Sequence, residues 1–239
     1  MSSNLLKPTG TQVGGRVWPV DRGYDLVAED YDQWYWQAFW RANEVPLVTR
    51  DLGVNVSSLT ALDAGTGTGQ YLSVLQRKGY RSAGLDISRE MLRTARKNLG
   101  ASAHLVRGVL EAAPFRTGAF DLVIACRVLS HVKRPDEAMK ELARVTKPGG
   151  RLLLTDVSPK HNYVTTRIPT RAGDVHIETF KRDIAEVLSN ACRFAGWQVE
   201  RMENVRFCDL IAPPDPAEYP SIDASSSCPI FFYGVMCRA

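Results

Sequence analysis

Apolar and polar positions along this chain follow two periods, and the period switches back and forth. Thr60-Ala61-Leu62 is a short apolar run, and Gln70 to Lys78 then carries Tyr71, Leu72, Val74 and Leu75 at helical spacing. Arg81 to Leu85 reads as the next strand, and Ser88 is placed to cap a helix that ends near Leu99-Gly100. Ala103 to Arg107 predicts a brief strand. Phe120 to Ala125 is a continuous apolar run, which predicts a buried one. Pro135 to Val145 repeats Ala138, Leu142 and Val145 on one side of a helix. Lys147-Pro148-Gly149-Gly150 predicts a turn, and Arg151 to Val157 a leucine-rich strand. Strands alternating with helices predict a parallel sheet covered on both faces.

The flanks are less regular. Met1 to Asp21, with Pro8 and Pro19, predicts an extended or partly ordered arm. In Gly23 to Leu52, Leu26, Ala28 and Tyr31 suggest one short helix. Trp36, Phe39, Trp40 and Val45 suggest a second, bent or restarted at Pro46. The aromatic rings here either pack the core or line a pocket for a flat substrate. Ser158 to Glu178 has weak periodicity and predicts a loop or irregular insertion. Thr179 to Phe194 predicts a helix. Val199 to Phe207 and Pro229 to Met236 predict two closing strands around a long loop rich in Pro and Ser.

Composition narrows the function classes. The 239 residues are 44% hydrophobic, enough for one large domain with a sizeable core. No apolar run approaches the roughly 20 residues of a membrane span, and the N-terminus has no apolar signal region, so a cytoplasmic protein is expected. The net charge of +4 is dispersed, and the cluster Arg89, Arg93, Arg96 and Lys97 reads as a solvated helix face; a nucleic-acid partner is not expected. Cys126, Cys192, Cys208, Cys228 and Cys237 are scattered, with no C-x-x-C pair to suggest zinc. Oligomeric state leaves no mark in the sequence.

The densest chemistry lies between Thr60 and Ser88. A strand enters Asp63-Ala64-Gly65-Thr66-Gly67-Thr68-Gly69, a helix follows, and Asp86 ends the next strand. Glycines in such a turn let backbone N–H groups come close to a ligand, and the helix N-terminus adds partial positive charge. A carboxylate about 20 residues on can accept hydrogen bonds from a ribose diol. The stretch predicts a nucleoside-containing cofactor.

The spacing D-x-G-x-G-x-G resembles the first motif of the class I S-adenosylmethionine-dependent methyltransferases. Three further segments continue the likeness in order: Gly84 to Ser88 with Glu90-Met91-Leu92, then AAPFRTGAFDLVIACRVLSHV, then LARVTKPGGRLLLTDV. The resemblance covers about Tyr24 to Val157. It implies an α/β fold with a Rossmann-like doubly wound sheet, mostly parallel with an antiparallel C-terminal strand, plus an N-terminal helical lid. It also implies S-adenosyl-L-methionine as cofactor. The expected organisation is a single domain in which residues 1–55 are arm and lid, 56–157 the cofactor core, and 158–239 substrate loops and C-terminal strands.

By the same resemblance, the backbone of Gly65 and Gly67 passes the methionine part of the cofactor, and Gly69 belongs to the same cofactor-binding turn. Asp63 supports the turn and, through water, the amino group. Asp86 binds the ribose, Ile87 lies against the adenine, and Leu110 and Glu111 flank it. The Cys126 carbonyl meets the amino group, and Tyr31 closes over the site. One departure stands out: the family commonly has Gly-Asp before the adenine loop, and here the pair is Gly108-Val109.

His131, after the strand that ends at Ala125, is either a general base for the acceptor or a packing and capping histidine. Trp36, Trp40, His161, Tyr163 and His176 are the other acceptor-side candidates. No Asp/Asn-Pro-Pro-Tyr/Phe signature follows the fourth strand; Ala125-Cys126-Arg127 stands there instead. No Pro-Cys nucleophile pair and no metal-binding H-x-x-E are present. The expectation is methylation of an oxygen or nitrogen on a small molecule, by in-line displacement. The competing readings are an RNA or protein methyltransferase and a non-catalytic binder of the cofactor.

Overall fold

The computed structural model describes residues 15–158, 166–215, 225 and 227–239. Its elements, in chain order, are β1 (Val17–Trp18), α1 (Val20–Val27), α2 (Tyr35–Arg50), β2 (Thr60–Ala64), α3 (Gln70–Lys78), β3 (Arg81–Asp86), α4 (Arg89–Leu99), β4 (His104–Arg107) and β5 (Phe120–Cys126). There follow α5 (Pro135–Val145), β6 (Thr146–Val157), β7 (Thr166–Thr170), β8 (Gly173–Ile177), α6 (Ile184–Ala195), β9 (Trp197–Val205) and β10 (Phe231–Arg238).

Seven strands form the main sheet in the order β4-β3-β2-β5-β6-β10-β9, and β10 runs antiparallel to both its neighbours. This is the mostly parallel Rossmann-like sheet with an antiparallel C-terminal strand. Side chains alternate between its faces. Leu62, Ala64, Val123, Ala125, Leu152 and Leu154 pack on one side with Leu142 of α5 and Leu188 of α6. Ala61, Leu122, Ile124 and Leu153 pack on the other with Val48 of α2 and with Tyr71 and Leu75 of α3. Because the order reverses at β2, the ends of β3, β2 and β5 open a crevice at a switch point, where α/β sheets bind ligands.

Several local expectations are corrected. Residues 158–178 are not simply a loop. β7 and β8 form an antiparallel hairpin there, and β1 adds to β8 in parallel, making a second sheet of three strands. Within the arm, Val17 and Trp18 pair with His176 and Ile177. A two-residue strand and a hairpin interrupted by Pro169 leave no readable period.

In the N-terminal segment, α1 begins at Val20 and Tyr31 lies outside it, in a single 3-10 turn of residues Tyr31–Gln33. α2 runs through Pro46 without a break; the proline has no N–H to give the Ala42 carbonyl, but the buried face of α2 holds the helix together. α6 starts at Ile184 and not Thr179, with Asp183 accepting from the Ala185 N–H as N-cap. The Lys147–Gly150 turn is embedded in β6, where the register with β5 shifts between Phe120 and Leu122.

Candidate active site

The glycine turn is held by its own backbone. The N–H groups of Gly65 and Thr66 both donate to the Leu85 carbonyl at the end of β3, at 2.8 and 2.9 Å. That of Gly67 donates to Asp86 Oδ2 at 2.8 Å. Gly65 has φ +81°, and a Cβ there would lie 2.6 Å from Val128 Cγ2. Asp63 lies beneath the turn: its Oδ2 accepts from Thr66 Oγ1 at 2.6 Å and from the Leu72 N–H at 2.9 Å. Burial pushes the Asp63 carboxyl up to about 7, against those two donors. Gly69, with φ +92°, is the residue before α3 and does not line the cavity.

This arrangement corrects one inference from the spacing. The N–H groups of Gly65, Thr66 and Gly67 do not point out as a cradle for an anion; they are spent on β3. A turn closed in this way offers little to a pyrophosphate and suits a ligand that passes it without phosphate.

Asp86 is the acceptor at the wall. Its Oδ1 takes the Ser88 N–H at 2.8 Å and its Oδ2 the Gly67 N–H, so each oxygen keeps a lone pair for a ligand hydroxyl. Burial raises its carboxyl to about 6 in spite of the Ser88, Gly67 and Ile87 amides. Asp86 lines a cavity of about 250 Å³ with Tyr31, Gly65, Gly67, Ile87, Leu110, Glu111 and Cys126, all singled out from the sequence. Val109 joins Ile87 and Leu110 on the apolar wall. Gln70 also reaches the cavity, and its Nε2 is buried with no partner.

Across the cavity lies His131, in the 3-10 turn Leu129–His131. That turn is fixed by Asp156 Oδ2, which accepts from the Ser130 N–H at 2.7 Å. The His131 Nδ1 faces the Glu178 carbonyl oxygen at 3.0 Å. A carbonyl only accepts, so Nδ1 carries the proton and Nε2 the lone pair. Tyr24 then donates its hydroxyl to Nε2 at 2.9 Å, with Thr166 Oγ1 3.3 Å from the same nitrogen. Burial lowers the His131 pKa to about 4 and raises that of the Tyr24 phenol well above its ordinary value. The imidazole is therefore neutral at pH 7, and its basic nitrogen is already engaged.

The acceptor-side candidates fare unevenly. Trp36 and Trp40 do not reach the cavity lining; they stack at 5.6 Å inside an apolar cluster with Phe39 and Phe231. α2 turns that face to β10, and burying the large rings there is the stronger driving force. His176 also lies away from the lining, in β8 opposite Val17. His161 and Tyr163 lie outside the described residues. The segment after β8 does contribute, through Glu178 and Phe180.

Sequence reasoning missed several residues. Tyr24, on α1, is the partner of His131. Asp25, one position on, accepts from Ser88 Oγ at 2.6 Å and the Glu90 N–H at 3.1 Å, which ties α1 to the start of α4. Asp32 accepts from Thr68 Oγ1 at 2.7 Å. These carboxylates fasten the N-terminal segment over the cofactor turn, and only their proximity to helix starts could have marked them.

Arg127 is the other omission. It follows β5 with φ +55°, a conformation that costs a non-glycine residue roughly 1–3 kcal/mol. Its Nε donates to Glu44 Oε2 at 2.9 Å. Glu44 is fully buried and also accepts from Tyr71 at 2.6 Å and from Thr155. Among the described residues no group of three or more His, Cys, Asp or Glu side chains could hold a metal, and no helix is long and apolar enough to cross a membrane.

Residues 62–154 match the family described as a methyltransferase domain. Malonyl-[acyl-carrier protein] O-methyltransferase of Erwinia pyrifoliae is 36% identical over 102 residues, 43% of this chain and 38% of that protein. Ubiquinone biosynthesis O-methyltransferase of Xanthomonas oryzae pv. oryzae is 30% identical over 109 residues, 44% of this chain and 46% of that protein. The chain thus matches less than half the length of either relative. An S-adenosylmethionine-dependent methyltransferase from Thermotoga maritima shares the fold, with a TM-score of 0.64 at 18% identity over 92% of this chain and 99% of that one. The closed glycine turn, the carboxylate at the end of β3 and the match agree: residues 62–154 carry a methyltransferase domain, and the chain has the fold of S-adenosylmethionine-dependent methyltransferases.

Proposed function

We propose that this protein transfers the methyl group of S-adenosylmethionine to an oxygen or nitrogen of a small-molecule acceptor. One observation carries the reading: a single cavity joins Asp86 and the glycine turn to the Tyr24–His131 pair. The residues present suit the cofactor. Asp86 keeps lone pairs for a ribose diol, Ile87 and Leu110 offer apolar faces to an adenine, and the orphaned Nε2 of Gln70 offers a donor.

When bound, the cofactor supplies an already activated sulfonium methyl. The protein's task is then to align an acceptor, exclude water and take a proton where the acceptor holds one. Gly65 and Gly67 give close backbone approach, the Cys126 carbonyl is available to an amino group, and Tyr31 and Tyr24 cover the cavity from the N-terminal segment. An acceptor lying against Tyr24 can pass its proton to the phenol oxygen as the phenol's own proton moves to His131 Nε2. The Glu178 carbonyl steadies the imidazolium through Nδ1. The names of the relatives, both O-methyltransferases, support oxygen as the atom methylated.

The test has two steps. Calorimetry with S-adenosylmethionine and S-adenosylhomocysteine should show binding of both; binding of neither removes the basis of the proposal. A screen of small phenols, carboxylic acids and amines with radiolabelled cofactor should then transfer label to a small molecule. Label appearing only on RNA or protein would overturn the acceptor class.

A further inference from the structure

Arg127 is held more firmly than a surface arginine and uses less of its hydrogen-bonding capacity than a structural one. Its side chain is 14% exposed, and that opening is onto the cavity. The guanidinium lies 5.1 Å from the Trp40 ring centroid and is pinned through Nε by Glu44. Glu44 is itself held by three donors, Tyr71 and Arg127 on Oε2 and Thr155 on Oε1. The backbone is fixed too, since the Arg127 N–H donates to the Thr155 carbonyl at 2.8 Å. A guanidinium has five N–H donors. Neither Nη1 nor Nη2 makes a hydrogen bond to any described residue, so the fork is left for something in the cavity.

Its position in the sheet says where that partner sits. Asp86 ends β3, Gly65 follows β2 and Arg127 follows β5, and these strands are consecutive neighbours. Two strand spacings, about 10 Å along the sheet, separate the backbone at the ends of β3 and β5. A ligand lying across β2 with hydroxyls at Asp86 extends toward Arg127. The Arg127 charge is felt by Asp63, Tyr24 and His131, which places it where the cofactor half of the cavity meets the acceptor half.

We infer that Arg127 is a carboxylate receptor, its free fork taking a bidentate carboxylate inside the cavity, and that Glu44 is the residue that positions it. Planar forked pairing is what arginine does best with a carboxylate, and a preset fork loses little freedom on binding. Two ligand carboxylates could use it: that of the cofactor's methionine part or one on the acceptor. The inference rests on the proposed use of this cavity.

The experiment compares S-adenosylhomocysteine with methylthioadenosine, which keeps the nucleoside and sulfur but has no amino acid part. Dissociation constants are measured by calorimetry for wild type, Arg127→Lys and the double variant Glu44→Gln/Arg127→Met. The double variant leaves no lone buried charge, and its fold is checked by thermal unfolding and circular dichroism. If the carboxylate is the cofactor's, the double variant binds S-adenosylhomocysteine at least tenfold more weakly and methylthioadenosine as before, with Arg127→Lys in between. If it is the acceptor's, both constants stay unchanged, and benzoate titrated into the S-adenosylhomocysteine complex binds wild type but not the double variant.

Equal weakening for both nucleosides overturns the inference, because the arginine would then only hold the site together. It is also overturned if neither nucleoside binding nor benzoate binding responds to the substitutions. A wild type that binds none of the nucleosides sinks the proposed function as well, which separates the two failures.

Discussion

The phenol of Tyr24 and the imidazole of His131 are 107 positions apart in the chain and are joined by a 2.9 Å hydrogen bond. The bond uses the only lone pair the neutral imidazole has, so in the proposed reaction His131 would meet an acceptor through Tyr24. Removing either partner therefore breaks the same device. Tyr24→Phe and His131→Gln should each lower kcat by about 10²-fold or more with a phenolic acceptor, and the double variant should lower it no further. Production of S-adenosylhomocysteine measures this. Independent, multiplying losses would show that the two residues do not act in series.

The same imidazole makes stability depend on pH. Its pKa falls from an ordinary 6.5 to about 4 in the fold. Below pH 6.5 the unfolded chain takes up a proton that the folded chain refuses, so stability declines as pH falls toward 4, by about 3 kcal/mol in full. Asp63, Asp86 and Asp156, raised to about 7, 6 and 6, act in the opposite sense over part of that range. Denaturant unfolding of wild type and His131→Gln between pH 4 and 7 isolates the histidine. The variant should gain relative stability as pH falls, and parallel curves would contradict the burial of an uncharged imidazole.

Asp86 should make cofactor binding pH-dependent. A ribose diol needs the carboxylate, whose pKa in the fold is about 6. Affinity for S-adenosylhomocysteine should be constant above that pH and weaken below it, because protonation removes acceptor capacity. Asp86→Ala should weaken binding by roughly 1–3 kcal/mol at pH 8 and flatten the profile. The substitution also frees the Gly67 N–H, so thermal stability should drop together with affinity.

Val109 is 38% exposed and lines the cavity wall beside Leu110 and Glu111. Val109→Asp should add an acceptor for an adenine amine and tighten S-adenosylhomocysteine binding several-fold, about 1 kcal/mol. Inosine-type analogues of the cofactor, which have no amine, should gain nothing. Equal gain for both would point to a general electrostatic effect.

Gly65 tests the turn. Alanine there must adopt φ +81° and bring its Cβ to 2.6 Å from Val128. Gly65→Ala should destabilise the fold by about 1–3 kcal/mol. Adding Val128→Ala should restore the part due to the clash and leave the part due to the backbone. Urea unfolding of the single and double variants separates the two contributions.

Much of the core could be read along the chain because its signals are local. Gln70 to Lys78 and Arg89 to Leu99 are helices whose periodicity and caps lie within their own spans, with Ser88 accepting from the Met91 N–H as expected. Asp86 and the glycines were legible because a strand-turn-helix-strand unit fixes their mutual positions. The hairpin at 166–177 was not, because its strands are short and Val17 and Trp18, which complete that sheet, come about 150 residues earlier. Trp36 and Trp40 misled because an aromatic on a helix does not say which face the helix turns inward.

By itself, then, the sequence determined the parallel α/β core, the glycine turn at Gly65–Gly69 and the carboxylate at Asp86, since each follows from residues near in the chain and from backbone geometry. The tertiary structure alone decided what stands opposite them. Tyr24 meets His131, Asp25 accepts from a helix start 65 residues on, and Arg127 is pinned by Glu44 across 83 positions, so that its fork opens onto the cavity. These pairings carry no period and no motif. They exist because α1 and α2 fold back over the ends of β3, β2 and β5, and burial there leaves each polar group needing a partner that only the fold can supply.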